Sequence, residues 1–273
     1  EITGRGRLSR PGGDVYEGDF VAGVRQGEGR ITYASGDIYV GGFFDNQRQG
    51  RGSFRGADGF EYEGDWVAGA IEGFGRARYP DGSVYEGAFA GGLADGRGVM
   101  TYADGSTYDG SWKAGAIDGE GTARYADGIV YEGGFRAGLN HGQGKITFPD
   151  GFVYEGEWRD GQRHGRGRAT YPNGAVYEGD FADGLREGSG RLEMPDGFRY
   201  EGGWRAGDIE GRGIAQYPRE DGQVDVYEGE FLAGRRHGEG ILRYATGEVL
   251  GGRWQEGVLV ETTTTVVPPR EGN

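Results

Sequence analysis

The sequence has no cysteine, so disulfides, thiolate metal ligands and cysteine nucleophiles are all excluded. It has no run of about 18 apolar residues, so nothing in it reads as a transmembrane helix, and no stretch shows a helical period. Positive charge is short: 30 Lys and Arg against 44 Asp and Glu leave a formal charge of −14. A nucleic-acid binder carries a basic stripe and a high pI, so nucleic acid is not expected as a partner. Hydrophobic residues make up only 35%, too few for a thick closed core. No signal peptide is visible. Residues 1–15 read as the back half of a repeating unit, so the natural chain is expected to begin upstream. The compartment, cytoplasmic or bacterial periplasmic, stays open.

What the sequence has in abundance is glycine, 62 residues, recurring in register with aromatic residues. The stretch Tyr154–Val176, YEGEWRDGQRHGRGRATYPNGAV, returns 23 residues away on either side, from Tyr131 and from Tyr177. A fixed period of this length marks a repeat array. Ten full units begin at Tyr16, Tyr39, Tyr62, Tyr85, Tyr108, Tyr131, Tyr154, Tyr177, Tyr200 and Tyr227. The chain therefore divides into a partial repeat over 1–15, ten tandem repeats over 16–249, a degenerate repeat over 250–261 and an extended cap strand or tail over 262–273.

Each unit contains two runs with the period of a β-strand. The first puts Tyr154, Gly156 and Trp158 on one face and Glu155 and Glu157 on the other. The second sets Gly165, Gly167, Ala169 and Tyr171 against Arg166, Arg168 and Thr170. RDGQRHG reads as a loop of six or seven residues between them, and PNG as a short turn. The prediction is all-β: one hairpin per unit, with successive hairpins pairing into an elongated, single-layer antiparallel array. The first-strand glycine, between two rings on one face, lets the rings approach the backbone. One unit cannot fold alone, because ordering each residue costs roughly 1–2 kcal/mol, while two or three buried rings return about 1.5–3 kcal/mol each. Stability must accumulate along the array. At about 4.8 Å per strand the ten units are expected to form a twisted ribbon on the order of 100 Å long.

Three units depart from the pattern. The second carries Val40, Asn46 and Gly56, and the eighth carries Met194. The ninth has four extra residues around Tyr217–Val226, read as two more per strand, either a tolerated loop or a docking finger. Beyond Val249 the pattern decays. Thr262–Val267 is β-prone before Pro268 and Pro269, and reads either as a cap or as an edge that pairs with a second chain.

The pattern Tyr-x-Gly-x-Trp/Phe, then Gly, then Gly-x-Gly, then Tyr, then Gly, closing at 23 residues, resembles the MORN (membrane occupation and recognition nexus) repeat. The likeness runs from Tyr16 to Val249. It implies a MORN-type solenoid that serves as a scaffold. Such arrays dock partner proteins in an aromatic groove, dimerise, or associate with membranes, some through acidic phospholipids. Some relatives join the array to a lysine methyltransferase or a phosphoinositide kinase domain, and no such domain is in this sequence.

Carboxylate pairs such as Glu155/Glu157 and Glu228/Glu230 could serve acid–base catalysis. An acid follows the tyrosine in nearly every unit, however, and such a ladder is more simply a solvated face. The chain is read as non-enzymatic. His141, His164 and His237 share one loop position, and zinc needs three or four closely spaced ligands. Gly-x-Gly here lacks the helix and the Lys-Ser/Thr of a phosphate loop. No cofactor and no metal is expected.

Arg163, His164, Arg166 and Arg168, with Arg235 and Arg236, form basic clusters that could meet an anionic lipid at about 1 kcal/mol per base. The main candidate site is the aromatic face: Tyr62, Trp66, Tyr85, Phe89, Tyr108, Trp112, Tyr131, Phe135, Tyr154, Trp158, Tyr177, Phe181, Tyr200 and Trp204. A single sheet has no second layer over these rings, so a partly open groove suited to peptides is expected. The reading is a non-catalytic scaffold at or near a membrane, recruiting a protein or peptide partner through this groove and its ends. A homodimer and an acidic phospholipid are further partner classes. The alternatives are a peripheral phospholipid-binding module and the accessory array of an enzyme whose catalytic domain is absent here.

Overall fold

Left-handed residues set where each repeat folds back. Asp160 and Gly161 take φ of 50° and 82°, the pair of positive angles that a two-residue type I′ hairpin needs. Arg159 therefore ends one strand and Gln162 opens the next. The long loop expected at RDGQRHG is corrected to a two-residue turn, because this turn matches the strand twist and the strand continues through Arg163 and His164. At PNG, the Gly174 N–H donates to the Tyr171 carbonyl and the Tyr171 N–H to the Ala175 carbonyl, both at 2.8 Å.

A computed structural model describes residues 2–266. The chain divides into two units, residues 1–139 and 140–273. In each, most strands alternate between seven and nine residues and pair antiparallel with the next in chain order, as Val15–Val21 does with Val24–Thr32 and Val153–Arg159 with Gln162–Thr170. The described residues contain no helix. The all-β hairpin array is what the structure shows.

The ladder inside the hairpin carries a bulge. Between Gly156 and Trp158 two positions of the first strand span four of the second, from Gly167 to Arg163, so Glu157 has no single partner across this hairpin, while on its other side it pairs with Gln143. Its carbonyl accepts the Tyr154 hydroxyl at 2.9 Å, and its carboxylate accepts the Arg166 N–H at 3.0 Å. Glu157 closes the bulge, whereas Glu155 stays exposed.

Gly156 faces Gly167 across the hairpin, and the Tyr154 ring lies over both. A Cβ at Gly167 would stand 2.5 Å from Tyr154 Cε2. Tyr154 then meets Trp158 of its own hairpin at 5.2 Å and Phe181 of the next at 5.0 Å, with planes 87° and 81° apart. This edge-to-face order is the one aromatic quadrupoles favour. The sheet thus builds its second layer from its own rings.

A second period runs beneath the first. In hairpins with tryptophan, the tyrosine's cross-strand partner is alanine: Tyr62 with Ala77, Tyr108 with Ala123, Tyr154 with Ala169, Tyr200 with Ala215. In hairpins with phenylalanine it is large: Tyr39 with Phe54, Tyr85 with Met100, Tyr177 with Leu192. Ring and filler thus exchange volume within each hairpin, and the two kinds alternate from Tyr39 onward, the first hairpin (Tyr16 with Ile31) being of the same kind as the second.

Side chains also stitch each hairpin to the next turn. Gln49, Glu72, Asp95, Asp118 and Glu187 accept the N–H of Ala68, Gly91, Ala114, Ala137 and Ala206 at 2.8–3.3 Å, left-handed turn residues whose donors would otherwise go unpaired.

In the ninth repeat, strands Asp208–Pro218 and Val224–Leu232 are each two residues longer than those of the repeat before. Tyr227 and Phe231 remain buried, as an even insertion requires. At the start, Gly4–Ser9 pairs with Val15–Val21. At the far end, Val249–Gln255 pairs with Val258–Val266, so the division placed at 261/262 falls inside a strand. Val267 to Asn273, with Pro268 and Pro269, lie outside the described residues.

Candidate functional site

Tyr62, Trp66, Tyr85, Phe89, Tyr108, Trp112, Tyr131 and Phe135 in the first unit are at most 7% exposed, as are Tyr154, Trp158, Tyr177, Phe181, Tyr200 and Trp204 in the second. The partly open groove expected of these rings is corrected to a closed layer. Tyr62, Tyr85, Tyr108, Tyr154, Tyr177 and Tyr200 each cover a glycine pair, and the phenylalanine and tryptophan rings meet these tyrosines edge to face. Their polar atoms are engaged within the layer as well: Trp158 Nε1 donates to the Gly144 carbonyl at 3.0 Å and Trp204 Nε1 to that of Gly190 at 3.2 Å.

Burial pushes the phenols of Tyr62, Tyr85, Tyr108, Tyr154, Tyr200 and Tyr227 up to about 12, desolvation being the largest cause. An unfolded phenol ionises near pH 10. The folded state therefore holds these protons more tightly, and the stability involved is complete below pH 10 and lost as the pH climbs toward 12. We expect the phenolate absorbance of these rings to appear only with loss of the β-sheet dichroism in that window. Their ionisation near pH 10 with the dichroism intact would contradict the closed layer.

What the layer leaves half-buried is a second rank of rings beside the Gly-containing turns. In the first unit Phe60 lies 6.2 Å from Phe54 and 5.8 Å from Tyr79. In the second, Phe152 lies 5.6 Å from Phe148 and 5.5 Å from Tyr171. Sequence reasoning passed over this rank. Its signal was an aromatic on each side of the turn, as in TFPDGFV.

In the second unit a depression of about 410 Å³ is lined by Ile146, Phe148, Phe152, Trp158, Gln162 and Arg163 among others. The Arg163 guanidinium lies 5.6–5.7 Å from the centroids of Phe152, Tyr154 and Phe181. Its Nη2 donates to the Gly184 carbonyl at 2.7 Å, which fixes the plane and leaves further N–H groups of the fork for a ligand.

The six residues offered as a lipid or anion contact do not form one patch. Arg163 and Arg236 are on the ring face, Arg236 donating to the Gly257 carbonyl at 2.9 Å. Arg166 and Arg168 are on the other face, Arg166 3.5 Å from Asp180 and Arg168 paired across strands with Glu155 and Glu178. Arg235 stands 3.9 Å from Glu256. Alternation along a strand separates neighbours in sequence, and the acid ladder offsets the bases that remain together.

His141, His164 and His237 lie within strands Leu139–Thr147, Gln162–Thr170 and Arg235–Arg243, not in loops. Among the described residues no group of three or more His, Asp or Glu is placed to hold a metal.

A family model described as MORN repeat matches residues 16–38, 39–60, 62–84, 85–107, 108–130, 131–153, 154–176, 177–199, 200–221 and 227–249. No curated protein matches the chain. Among solved structures, the chain is similar to the SAS-4 (dCPAP) TCP domain of Drosophila melanogaster, solved with a proline-rich motif of Ana2 (dSTIL). That likeness has 15% identity over 64% of this chain and 88% of that one, with a TM-score of 0.35. It is also similar to the TCP10 domain of Danio rerio CPAP, solved with a STIL peptide, at 15% identity over 96% and 93% of the two chains and a TM-score of 0.29. A virginiamycin B lyase from Staphylococcus aureus shares 11% identity over 91% and 84%, with a TM-score of 0.16. At these TM-scores the likenesses carry no argument about function.

Proposed function

The chain belongs to the MORN repeat family, and from that premise we propose that it is a non-catalytic scaffold, docking a partner protein on the ring face at or near a membrane. The buried rings form the floor of the docking surface, and the half-buried rank beside the turns forms its wall. The observation that carries this reading is the depression at Arg163, where an apolar floor meets a guanidinium held rigidly on three rings. A wall of aromatic groups with a few placed donors suits an extended peptide, whose carbonyls accept while its side chains fill the gaps.

Panning a peptide library against the protein tests this. Selected peptides should lose about tenfold in affinity or more for Phe152→Ser or Arg163→Gln, as substitutions of central aromatic and arginine contacts do. Peptides that bind both variants as they bind the parent would place docking elsewhere. Strong, salt-sensitive sedimentation with acidic phospholipid vesicles, in the absence of any protein partner, would instead favour a lipid-binding module.

A further inference from the structure

Where an acid, an amide or a hydroxyl stitches one hairpin to the next turn, the turn residue it serves is alanine or glycine. Histidine breaks this rule, and always in the same direction. His141, His164 and His237 stand at the stitching position, and the turn residues they face in sequence register are Asp160, Asp183 and Glu256. Elsewhere an acid occupies that turn position once, at Asp45. We propose that these three boundaries, all in the second unit, are protonation-dependent joints in which an imidazolium grips the carboxylate of the following turn.

The geometry supports a donor role. His141 Nδ1 lies 3.7 Å from Asp160 Oδ1. Nδ1 of His141 and of His164 is buried without a hydrogen-bond partner among the described residues. A neutral imidazole can carry its proton on Nε2 and leave Nδ1 bare, whereas the charged ring puts an N–H on both nitrogens. Other charges surround the joints. Arg159 lies 3.6 Å from Asp183, and Arg235 3.9 Å from Glu256. Glu157, beside His164, is tied to the Arg166 N–H, and Asp180 lies 3.5 Å from the Arg166 guanidinium. Glu230 stands across from His237 with Arg212 3.8 Å away.

Histidine is the side chain whose ordinary charge change falls between about pH 5 and pH 8. Charging a ring that faces a carboxylate favours the docked turn, so the joints tighten as the pH falls through that range. The acid and amide stitches of the first unit contain no imidazole.

Backbone reporters lie at the joints themselves. Gly161, Gly184 and Gly257 N–H donate to the Asn140, Arg163 and Arg236 carbonyls at 2.9, 3.0 and 2.9 Å, while Gly69, Gly92 and Gly115 make the same bond in the first unit. Amide exchange, corrected for the intrinsic rate, should slow about three- to tenfold at the three joint glycines on acidification and stay constant at the three controls. The triple variant His141→Gln, His164→Gln, His237→Gln keeps a neutral acceptor, as Gln49 does, and should abolish the response. So should Asp160→Asn, Asp183→Asn, Glu256→Gln. Faster exchange at the joints in acid, equal changes at both sets of glycines, or a response that survives either triple variant overturns the proposal.

Discussion

Gly167→Ala is expected to destabilise the second unit by about 3–5 kcal/mol, more than overpacking alone usually costs. The added methyl would stand 2.5 Å from both Cε2 and Oη of Tyr154 and 2.7 Å from Cζ, well inside contact distance. Tyr154 has nowhere to go. Trp158 and Phe181 hold its ring edge-on, and its hydroxyl donates to the Glu157 carbonyl at 2.9 Å. Relief therefore requires giving up a buried hydrogen bond and two ring contacts together. Chemical denaturation followed by near-ultraviolet dichroism measures it. A loss no larger than that of an exposed-site substitution would show that the ring does not rest on the glycine pair.

Trp158→Ala should cost about 3–5 kcal/mol, the usual range for emptying a large aromatic site. The indole is 7% exposed, and its removal strands the Gly144 carbonyl that accepts its N–H. Glu155→Ala, three residues away on the exposed face, should stay within about 0.5 kcal/mol. The pair is a direct comparison of the two faces in one strand, read from denaturation midpoints. Equal, small effects would mean that the ring face is not the core.

The hairpins, the two faces and the repeat boundaries were legible because glycine, tyrosine and the turn residues recur at fixed offsets. Three features were not. The bulge opposite Glu157 adds an even number of positions to the second strand, so it leaves the alternation of faces intact and the sequence carries no sign of it. The Asp160–Gly161 turn was missed although Asp-Gly is a type I′ signal, because most repeats put alanine at that left-handed position. The rings were expected to be buried in part, and their full closure was missed because counting layers treats a sheet as a plane. Here the absent side chains at Gly156 and Gly167 let Tyr154 sink onto the backbone, and the rings close over the sheet that carries them. The second rank at Phe148 and Phe152 was visible in the sequence, but it was overshadowed by the more regular first.

The match of ring to filler sets how such a chain can change length over time. Phenylalanine goes with a bulky filler and tryptophan with alanine inside the same hairpin, and two phenylalanine hairpins already stand side by side at Tyr16 and Tyr39, with Ile31 and Phe54 as their fillers. Each hairpin brings its own complement of volume to the row. The heritable module is therefore the single hairpin, and lineages can lengthen or shorten this array one hairpin at a time.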